Sequence, residues 1–169
     1  MRLFIAVPFD ENILSTLTKF QDELKALGML GRFPPRENLH LTLAFIGEFV
    51  DPDAVMDALA SVRFTPFRIR LDGMGNFRDL YWVGLAKNAK LKNYVKRLRR
   101  ALAERNIPYD RKRFSPHITL VRSAVFRGDF EFPQVDPPAG EMQVRRVSLM
   151  RSERGKHGMI YTEIGTAGE

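Results

Sequence analysis

The sequence predicts an α+β protein in which helices pack against antiparallel sheets. Three observations predict this class. Apolar residues at helical spacing are interleaved with short strand-like runs, neighbouring runs form hairpins, and one strand motif occurs twice. The motif reads His40-Leu41-Thr42-Leu43 and returns as His117-Ile118-Thr119-Leu120. The chain contains three histidines, so two of them share one local context.

The first part of the chain predicts two strands around a helix. Residues 3–7 form a short apolar run, which is typical of a buried strand. The helix that follows is expected to have Asp10 as its N-cap and to end at Gly28. Its buried face has spacings of three and four and comprises Ile13, Leu17, Phe20, Leu24 and Leu27. Residues 31–38 contain two prolines and lead into a strand at residues 39–46, which carries the first motif.

Two further helices and a hairpin are predicted in the middle of the chain. Asp51-Pro52 is typical of a helix start, and Val55, Leu59 and Val62 mark its buried face. Residues 67–71 alternate between apolar and charged side chains, which predicts a half-buried strand. A connection at residues 73–79 leads to a second strand at 81–85. The clearest helical pattern follows, with the apolar residues Leu91, Tyr94, Val95, Leu98 and Leu102.

The last part of the chain predicts three strands. Residues 115–122 form the strand with the second motif. Residues 127–140 are rich in proline and glycine and predict a long loop. Two final strands are expected at residues 144–150 and 159–164, joined by a polar connection at 151–158. The last few residues are expected to fray.

The composition is that of an ordinary globular protein and excludes several chemistries. At 169 residues, the chain has the length of one domain. It contains no cysteine, which excludes disulfides, thiolate metal sites and a cysteine nucleophile, and which suits a reducing cytoplasm. Its first residues lack the features of a signal peptide, and no apolar segment approaches the ~20 residues of a membrane span. We therefore expect a cytoplasmic protein without membrane contact.

A net charge of +7 favours anionic partners such as nucleic acids or nucleotides. Part of this charge lies on the polar face of the last predicted helix, on Lys90, Lys92, Lys96, Arg97, Arg99 and Arg100. A solvated helix face is the favoured interpretation, and a track for the phosphate backbone is the alternative. Arg111-Lys112-Arg113 lies just before the second motif and is better placed for such a track.

The repeated motif supplies the groups that phosphodiester cleavage needs. In a strand, residues i and i+2 point to one face, so each motif presents an imidazole and a hydroxyl opposite two core residues. One neutral histidine can take a proton from water while a protonated one gives a proton to the leaving oxygen. Threonine hydroxyls can donate hydrogen bonds to phosphate oxygens. A single His-x-Thr in a strand is usually structural, but two copies favour a catalytic interpretation.

Longer stretches around the motifs resemble the two-histidine phosphoesterase superfamily. Within it, the chain is most similar to the RNA 2′,3′-cyclic phosphodiesterase branch, also called 2′-5′ RNA ligase-like. The supporting stretches span nearly the whole chain and read MRLFIA (1–6), PRENLHLTLAFIGE (35–48), FSPHITLVR (114–122) and VSLMRS (147–152).

This resemblance implies one bilobal domain over residues 1–169. Two pseudo-symmetric lobes of antiparallel sheet, with helices outside, would flank a central groove lined by both motifs. The implied reaction converts RNA 2′,3′-cyclic phosphate ends to 2′-phosphomonoesters with no metal or cofactor, and reverse 2′-5′ ligation would be weak. RNA ends are the implied partner, nucleotides such as ATP would occupy the same groove, and a monomer is expected.

The resemblance also implies roles for individual residues. His40 would be the proton donor and His117 the proton acceptor, although the motifs themselves are too alike to order the two. Thr42 and Thr119 would hold the phosphate. Arg122, five residues after His117, would contact the substrate. Phe45 lies five residues after His40 and either stacks on a nucleobase or packs in the core.

Several alternatives remain open from the sequence. The chain could be a nucleotide- or RNA-binding module without catalysis, or an esterase for small cyclic nucleotides. His157 lies in a polar turn and is interpreted as a surface residue, with a third zinc ligand as the alternative. The glycines of residues 73–77 lack the lysine and third glycine of a phosphate loop, so we exclude that function there.

Overall fold

A computed structural model describes residues 1–128 and 135–169, and within them the predicted α+β class is confirmed. The helices are α1 (Glu11–Ala26), α2 (Pro52–Ser61) and α3 (Ala89–Glu104), with a short 3-10 helix at Arg36–Asn38. The strands are β1 (Arg2–Val7), β2 (Met29–Arg32), β3 (Leu41–Glu48), β4 (Phe67–Phe77), β5 (Leu80–Leu85), β6 (His117–Phe126), β7 (Glu141–Val144), β8 (Arg146–Gly155) and β9 (Gly158–Gly168). None of the helices in these residues is long and apolar enough to cross a membrane.

The strands form two antiparallel sheets, and each sheet contains one motif. The four-stranded sheet has the order β3-β1-β8-β9, and the five-stranded sheet has the order β2-β6-β5-β4-β7. The motif strands β3 and β6 therefore belong to different sheets and are not hydrogen-bonded neighbours. They nevertheless approach each other, with Cα atoms within 8 Å across the boundary between the sheets.

The helices begin where their capping residues predict. The Asp10 carboxylate accepts a hydrogen bond from the amide of Ile13 at 2.9 Å, and that of Asp51 accepts one from Ala54 at 3.1 Å. Helix α1 contacts β2, β6 and β7 of the five-stranded sheet. Helices α2 and α3 contact each other and the edge strands β9 and β3 of the other sheet. Each sheet therefore has its own helical cover.

Some predicted boundaries are wrong, chiefly where strands extend beyond the core. Residues 73–77 are not a connection but continue β4, and the turn to β5 comprises only residues 78–79. Residues 151–155 likewise continue β8, so the hairpin turn to β9 is Lys156-His157. Cross-strand pairing continues the sheet through these segments, which lack the regular apolar alternation by which a strand is predicted from sequence.

Other boundaries differ for local reasons. Strand β2 has no counterpart in the sequence prediction, because its short run MLGR shows no alternation. Residues 144–150 form two strands, divided between β7 and β8, and the expected frayed end is the last part of β9. The first-motif strand begins at Leu41, so His40 immediately precedes it. Of the loop predicted at 127–140, residues 129–134 lie outside the described residues, and 135–140 contain no helix or strand.

The alternating apolar residues of both motifs are buried, as predicted. Leu41, Leu43, Ile118 and Leu120 have no exposed surface. Leu27, predicted on the buried face of α1, instead follows the helix and is 51% exposed. Burial of the leucine and isoleucine side chains fixes each strand and turns its histidine and threonine to the other face.

We expect Leu43→Ala to lower the free energy of unfolding by about 2–5 kcal/mol, because it removes a fully buried side chain and leaves a cavity. Leu27→Ala is the matched control and should change it by less than about 0.5 kcal/mol. Denaturant unfolding of the two variants measures the difference. Equal losses in both would contradict the assigned core.

Candidate active site

The two motif histidines are held by the same backbone interaction. The Nδ1–H of His40 donates to the carbonyl oxygen of Asn38 at 2.7 Å, and that of His117 donates to the carbonyl oxygen of Ser115 at 2.8 Å. A carbonyl oxygen can only accept, so the proton of each neutral imidazole lies on Nδ1. Nε2 is then the nitrogen of each ring that can exchange a proton. In His40, it accepts a hydrogen bond from the hydroxyl of Thr42 at 2.9 Å.

Both motif strands also contain a bulge directly after the threonine. Cross-strand pairing passes from Thr42 to Ala44 on β3 and from Thr119 to Val121 on β6, so the residue that follows each threonine is left unpaired. The extra residue reverses the alternation of faces. The residue five positions after each histidine is thereby brought to the face of the motif.

Phe45 and Arg122 occupy these equivalent positions. The two strands share one burial pattern, in which the histidine, the threonine and the fifth residue are the less buried positions. The spacing of five therefore has a structural cause in both sheets. Arg122 shares a cavity with all four motif side chains, whereas Phe45 lies in a second, adjoining cavity.

The first cavity brings together the four motif side chains predicted to act. It has a volume of 620 Å³ and contains His40, Thr42, His117 and Thr119. Its rim includes residues that were not predicted from the sequence, namely Arg32, Arg154, Lys156, Met159 and Tyr161. His157, which the sequence analysis considered, also lies on this rim. The turn of the β8–β9 hairpin supplies part of that rim, and its polar sequence carries no periodic signal that would locate it there.

Aromatic rings enclose His40 and change its acidity. The Phe4 ring lies 4.9 Å and the Tyr161 ring 5.3 Å from the imidazole, measured between ring centroids. Burial is the largest influence and lowers the pKa of His40 below its ordinary value of 6.5. The hydrogen bond to the Asn38 carbonyl raises the pKa, while the positive charge of Arg122 and the proximity of His117 lower it. The neutral form of His40 is therefore favoured in the free protein.

His117 has an aromatic setting of its own. The Phe77 ring meets its imidazole edge-on at 5.4 Å, and the Trp82 ring lies 6.3 Å away. The Trp82 ring packs directly over Gly75, where an added Cβ would come within 2.5 Å of it. Gly75 thus keeps open the space that the ring needs beside His117. These aromatic residues carry no sequence signal, because only the pairing of β4, β5 and β6 brings them to the motif.

The second cavity adjoins the first on the face of the four-stranded sheet. It has a volume of 890 Å³ and shares His40, Thr42, Arg122, Arg154, Met159 and Tyr161 with the first. Phe45 lines it, but the guanidinium of Arg2 lies 4.9 Å from the centre of its ring. Phe45 is thus half-buried with an arginine stacked on it, which neither sequence interpretation anticipated.

The other basic groups lie away from these two cavities. Arg111, Lys112 and Arg113 line neither of them, and neither do the basic residues of α3. On that helix, Arg99 departs from the favoured interpretation of a solvated face. Its guanidinium donates to the carbonyl oxygens of Lys112 at 2.7 Å and Leu43 at 3.5 Å, so it braces the bulged motif strand.

His157 reaches the rim of the first cavity from the exposed hairpin turn, as a surface residue. Within residues 1–128 and 135–169, no group of three or more histidine, aspartate or glutamate side chains is arranged to hold a metal ion.

Comparisons with known proteins agree on one family. A family model described as the 2′-5′ RNA ligase superfamily matches residues 14–156. The RNA 2′,3′-cyclic phosphodiesterase of Thermus thermophilus is 33% identical over 96% of this chain and 87% of its own length. That of Aeropyrum pernix is 30% identical over 88% of this chain and 92% of its own length.

Solved structures show the same likeness. The crystal structure of E. coli LigT in apo form superposes with a TM-score of 0.83 and 26% identity, and it covers 99% of this chain and 96% of that one. LigT complexed with 3′-AMP gives a TM-score of 0.82, and LigT complexed with ATP gives 0.78, at the same identity and coverage.

We expect His40 in the free protein to titrate below pH 6.5, because burial disfavours its charged form. Arg122→Gln removes a positive charge and should raise the midpoint, whereas Arg32→Gln, a change of the same size on the cavity rim, should not. The titration midpoint is measured from the pH dependence of the imidazole proton signals of His40 in NMR spectra of the wild type and both variants. A wild-type midpoint at or above 6.5 would contradict the assigned environment.

Proposed function

The chain belongs to the 2′-5′ RNA ligase superfamily, and on that premise we propose that it is an RNA 2′,3′-cyclic phosphodiesterase. It would hydrolyse the cyclic phosphate at an RNA end to a 2′-phosphomonoester. The observation that carries the proposal is the matched pair of histidines. Each has its Nδ1–H bound to a carbonyl oxygen, and both line one cavity together with both threonines. Relatives of 30% and 33% identity with that activity in their names support it.

In the proposed reaction, His117 acts as the base. Its Nε2 takes a proton from a water molecule, whose oxygen attacks phosphorus while the bond from phosphorus to the ribose 3′ oxygen breaks. His40, in its protonated form, gives the Nε2 proton to that departing oxygen. The carbonyl oxygens of Asn38 and Ser115 keep Nδ1 protonated in both rings throughout, so neither imidazole needs to rotate.

Threonine and arginine side chains would bind the phosphate itself. Thr42 and Thr119 would donate hydrogen bonds to its non-bridging oxygens, where negative charge builds up in the transition state. The Thr42 hydroxyl now bonds His40 Nε2, so a bound phosphate would take over this hydroxyl and free the nitrogen. Arg122 adds a positive charge at the same cavity.

The lowered pKa of His40 makes its proton dependent on the substrate. In the free protein, the neutral form is favoured, but an acid must be protonated. A phosphate anion in the cavity favours the imidazolium and raises the pKa. His40 would therefore become protonated chiefly when a phosphate is bound in the cavity. The assignment of His40 as donor and His117 as acceptor rests on the family resemblance.

The remaining features of the proposal follow from the site. In this proposal, residues 1–169 form one bilobal unit that acts as a monomer, and no metal or cofactor is required because the two histidines supply both proton transfers. The absence of cysteine suits a cytoplasmic location. Nucleotides such as ATP would bind in the same groove, as the LigT complex suggests. Ligation would be minor, because water at ~55 M competes with an RNA hydroxyl.

A short RNA that ends in a 2′,3′-cyclic phosphate tests the proposal. We expect hydrolysis to the 2′-phosphate in excess EDTA, and we expect His40→Ala and His117→Ala each to lower kcat by about 10²–10⁴. His157→Ala is the matched control, because it removes the third histidine from the rim, and it should change kcat by less than about threefold. Product analysis by chromatography measures the rates.

Three outcomes would overturn parts of this account. Loss of activity on chelation alone would refute the metal-free reaction. Binding of the RNA with no turnover of any cyclic phosphate would favour a binding module. Turnover restricted to cyclic mononucleotides would favour the small-substrate esterase.

A further inference from the structure

The second cavity lies on one side only of the proposed reaction centre. It contains His40 and Thr42, but His117 and Thr119 line the first cavity alone. Apart from Arg122 of β6, the remaining lining comes from Met1, the starts of β1 and β9, and the second halves of β3 and β8, so most of the cavity lies across the face of the four-stranded sheet. Its 890 Å³ exceeds the 620 Å³ of the cavity with both motifs.

The stereochemistry of phosphoryl transfer gives this asymmetry a meaning. The attacking and leaving oxygens lie roughly in line on opposite sides of phosphorus. The leaving oxygen belongs to the ribose, so the ribose and the strand attached to it lie on the side of the acid. The assignment of His40 as that acid rests on the proposed function. With His40 as the acid, the RNA strand extends from the reacting phosphate past His40 into the second cavity.

The charge of the second cavity suits an RNA strand. Four arginines line it against two glutamates: Arg2, Arg122, Arg151 and Arg154 against Glu48 and Glu153. Only Arg151 is paired with one of these glutamates, through a contact of 2.7 Å between its Nε and the Glu153 carboxylate. Across residues 1–128 and 135–169, no ion pair engages Arg2, Arg122 or Arg154. These three arginines are thus available to phosphates, and because the Arg151–Glu153 pair is partly exposed to solvent, a phosphate can compete with the carboxylate for Arg151.

The same cavity offers surfaces for bases. The guanidinium of Arg2 lies over the Phe45 ring in a cation–π contact, 4.9 Å from the ring centre. Phe4 and Tyr161 line the cavity as well and meet edge-on at 5.0 Å. Bases of single-stranded RNA stack on aromatic rings and on arginine planes. Cationic groups and aromatic rings therefore line the same cavity.

We propose that the second cavity holds the RNA strand that ends in the cyclic phosphate, with the nucleotides upstream of the reacting phosphate along Arg2, Phe45 and Arg151. The preferred substrate is then an oligonucleotide, because a cyclic mononucleotide occupies the reaction centre and leaves most of this cavity empty. The hairpin turn and Arg32, on the rim of the first cavity, do not contact that strand.

A comparison of two double variants tests the proposal. Arg2→Gln/Arg151→Gln removes two cations that line the second cavity alone, and Arg32→Gln/Lys156→Gln removes two that line the first alone. The value of kcat/KM is measured for a pentanucleotide with a cyclic phosphate end and for a 2′,3′-cyclic mononucleotide. We expect the first variant to lose about tenfold or more on the pentanucleotide and less than about twofold on the mononucleotide. The control should leave the ratio of the two values unchanged.

Salt dependence separates weaker phosphate binding from a general structural defect. Affinity for a pentanucleotide with a 2′-phosphate end is measured by fluorescence anisotropy at several salt concentrations. Each RNA phosphate that no longer binds an arginine should make the slope of log affinity against log salt shallower by about 0.7. Thermal unfolding of both variants checks that they fold.

The outcomes distinguish this proposal from the proposed function. A larger loss in the control variant, or equal losses in both, would overturn the placement of the strand. If the wild type hydrolyses no cyclic phosphate, the proposed function fails, and the anisotropy measurement still decides whether the strand lies in the second cavity.

Discussion

The hydrogen bonds from the two imidazole Nδ1–H groups to backbone carbonyls are the interaction on which the site depends. Each carbonyl lies two residues before its histidine, in the segment that leads into the motif strand, so this segment fixes the tautomer and orientation of the ring. Buried leucine and isoleucine side chains hold that strand from its other face. This arrangement of carbonyl, histidine and buried strand occurs twice, once in each sheet, and both histidines line one cavity.

Two nearly equivalent units can perform different steps only if their surroundings differ. His40 is enclosed by Phe4 and Tyr161, and burial lowers its pKa. His117 adjoins Phe77 and Trp82 in the other sheet. The two cavities add to this difference, because the larger one is lined by His40 but not by His117. In the proposed reaction, this asymmetry would place the RNA strand beside His40 and the attacking water beside His117.

The sequence predicted the parts of this site that depend on local periodicity. Alternation in the motifs correctly separated the buried residues from the histidine and threonine, and the capping aspartates located two helix starts. It did not predict the bulge after each threonine, because a bulge is defined by the partner strand. Without the bulge, Phe45 and Arg122 would lie on the faces opposite their motifs. Both final strands were predicted, but the continuation of β8 through residues 151–155 was missed, since cross-strand pairing with β9 rather than an apolar face sustains it.

A substrate with sulfur in place of the ribose 3′ oxygen tests whether the two histidines act on opposite sides of one phosphate. The sulfur departs as a thiolate, which needs no proton because its conjugate acid has a pKa near 8.5, so the acid becomes dispensable while the base does not. Rates of His40→Ala and His117→Ala are compared on the oxygen and sulfur forms of the cyclic phosphate. Sulfur should restore the turnover of His40→Ala and leave His117→Ala impaired. Equal impairment of both variants on both substrates would contradict these opposite roles.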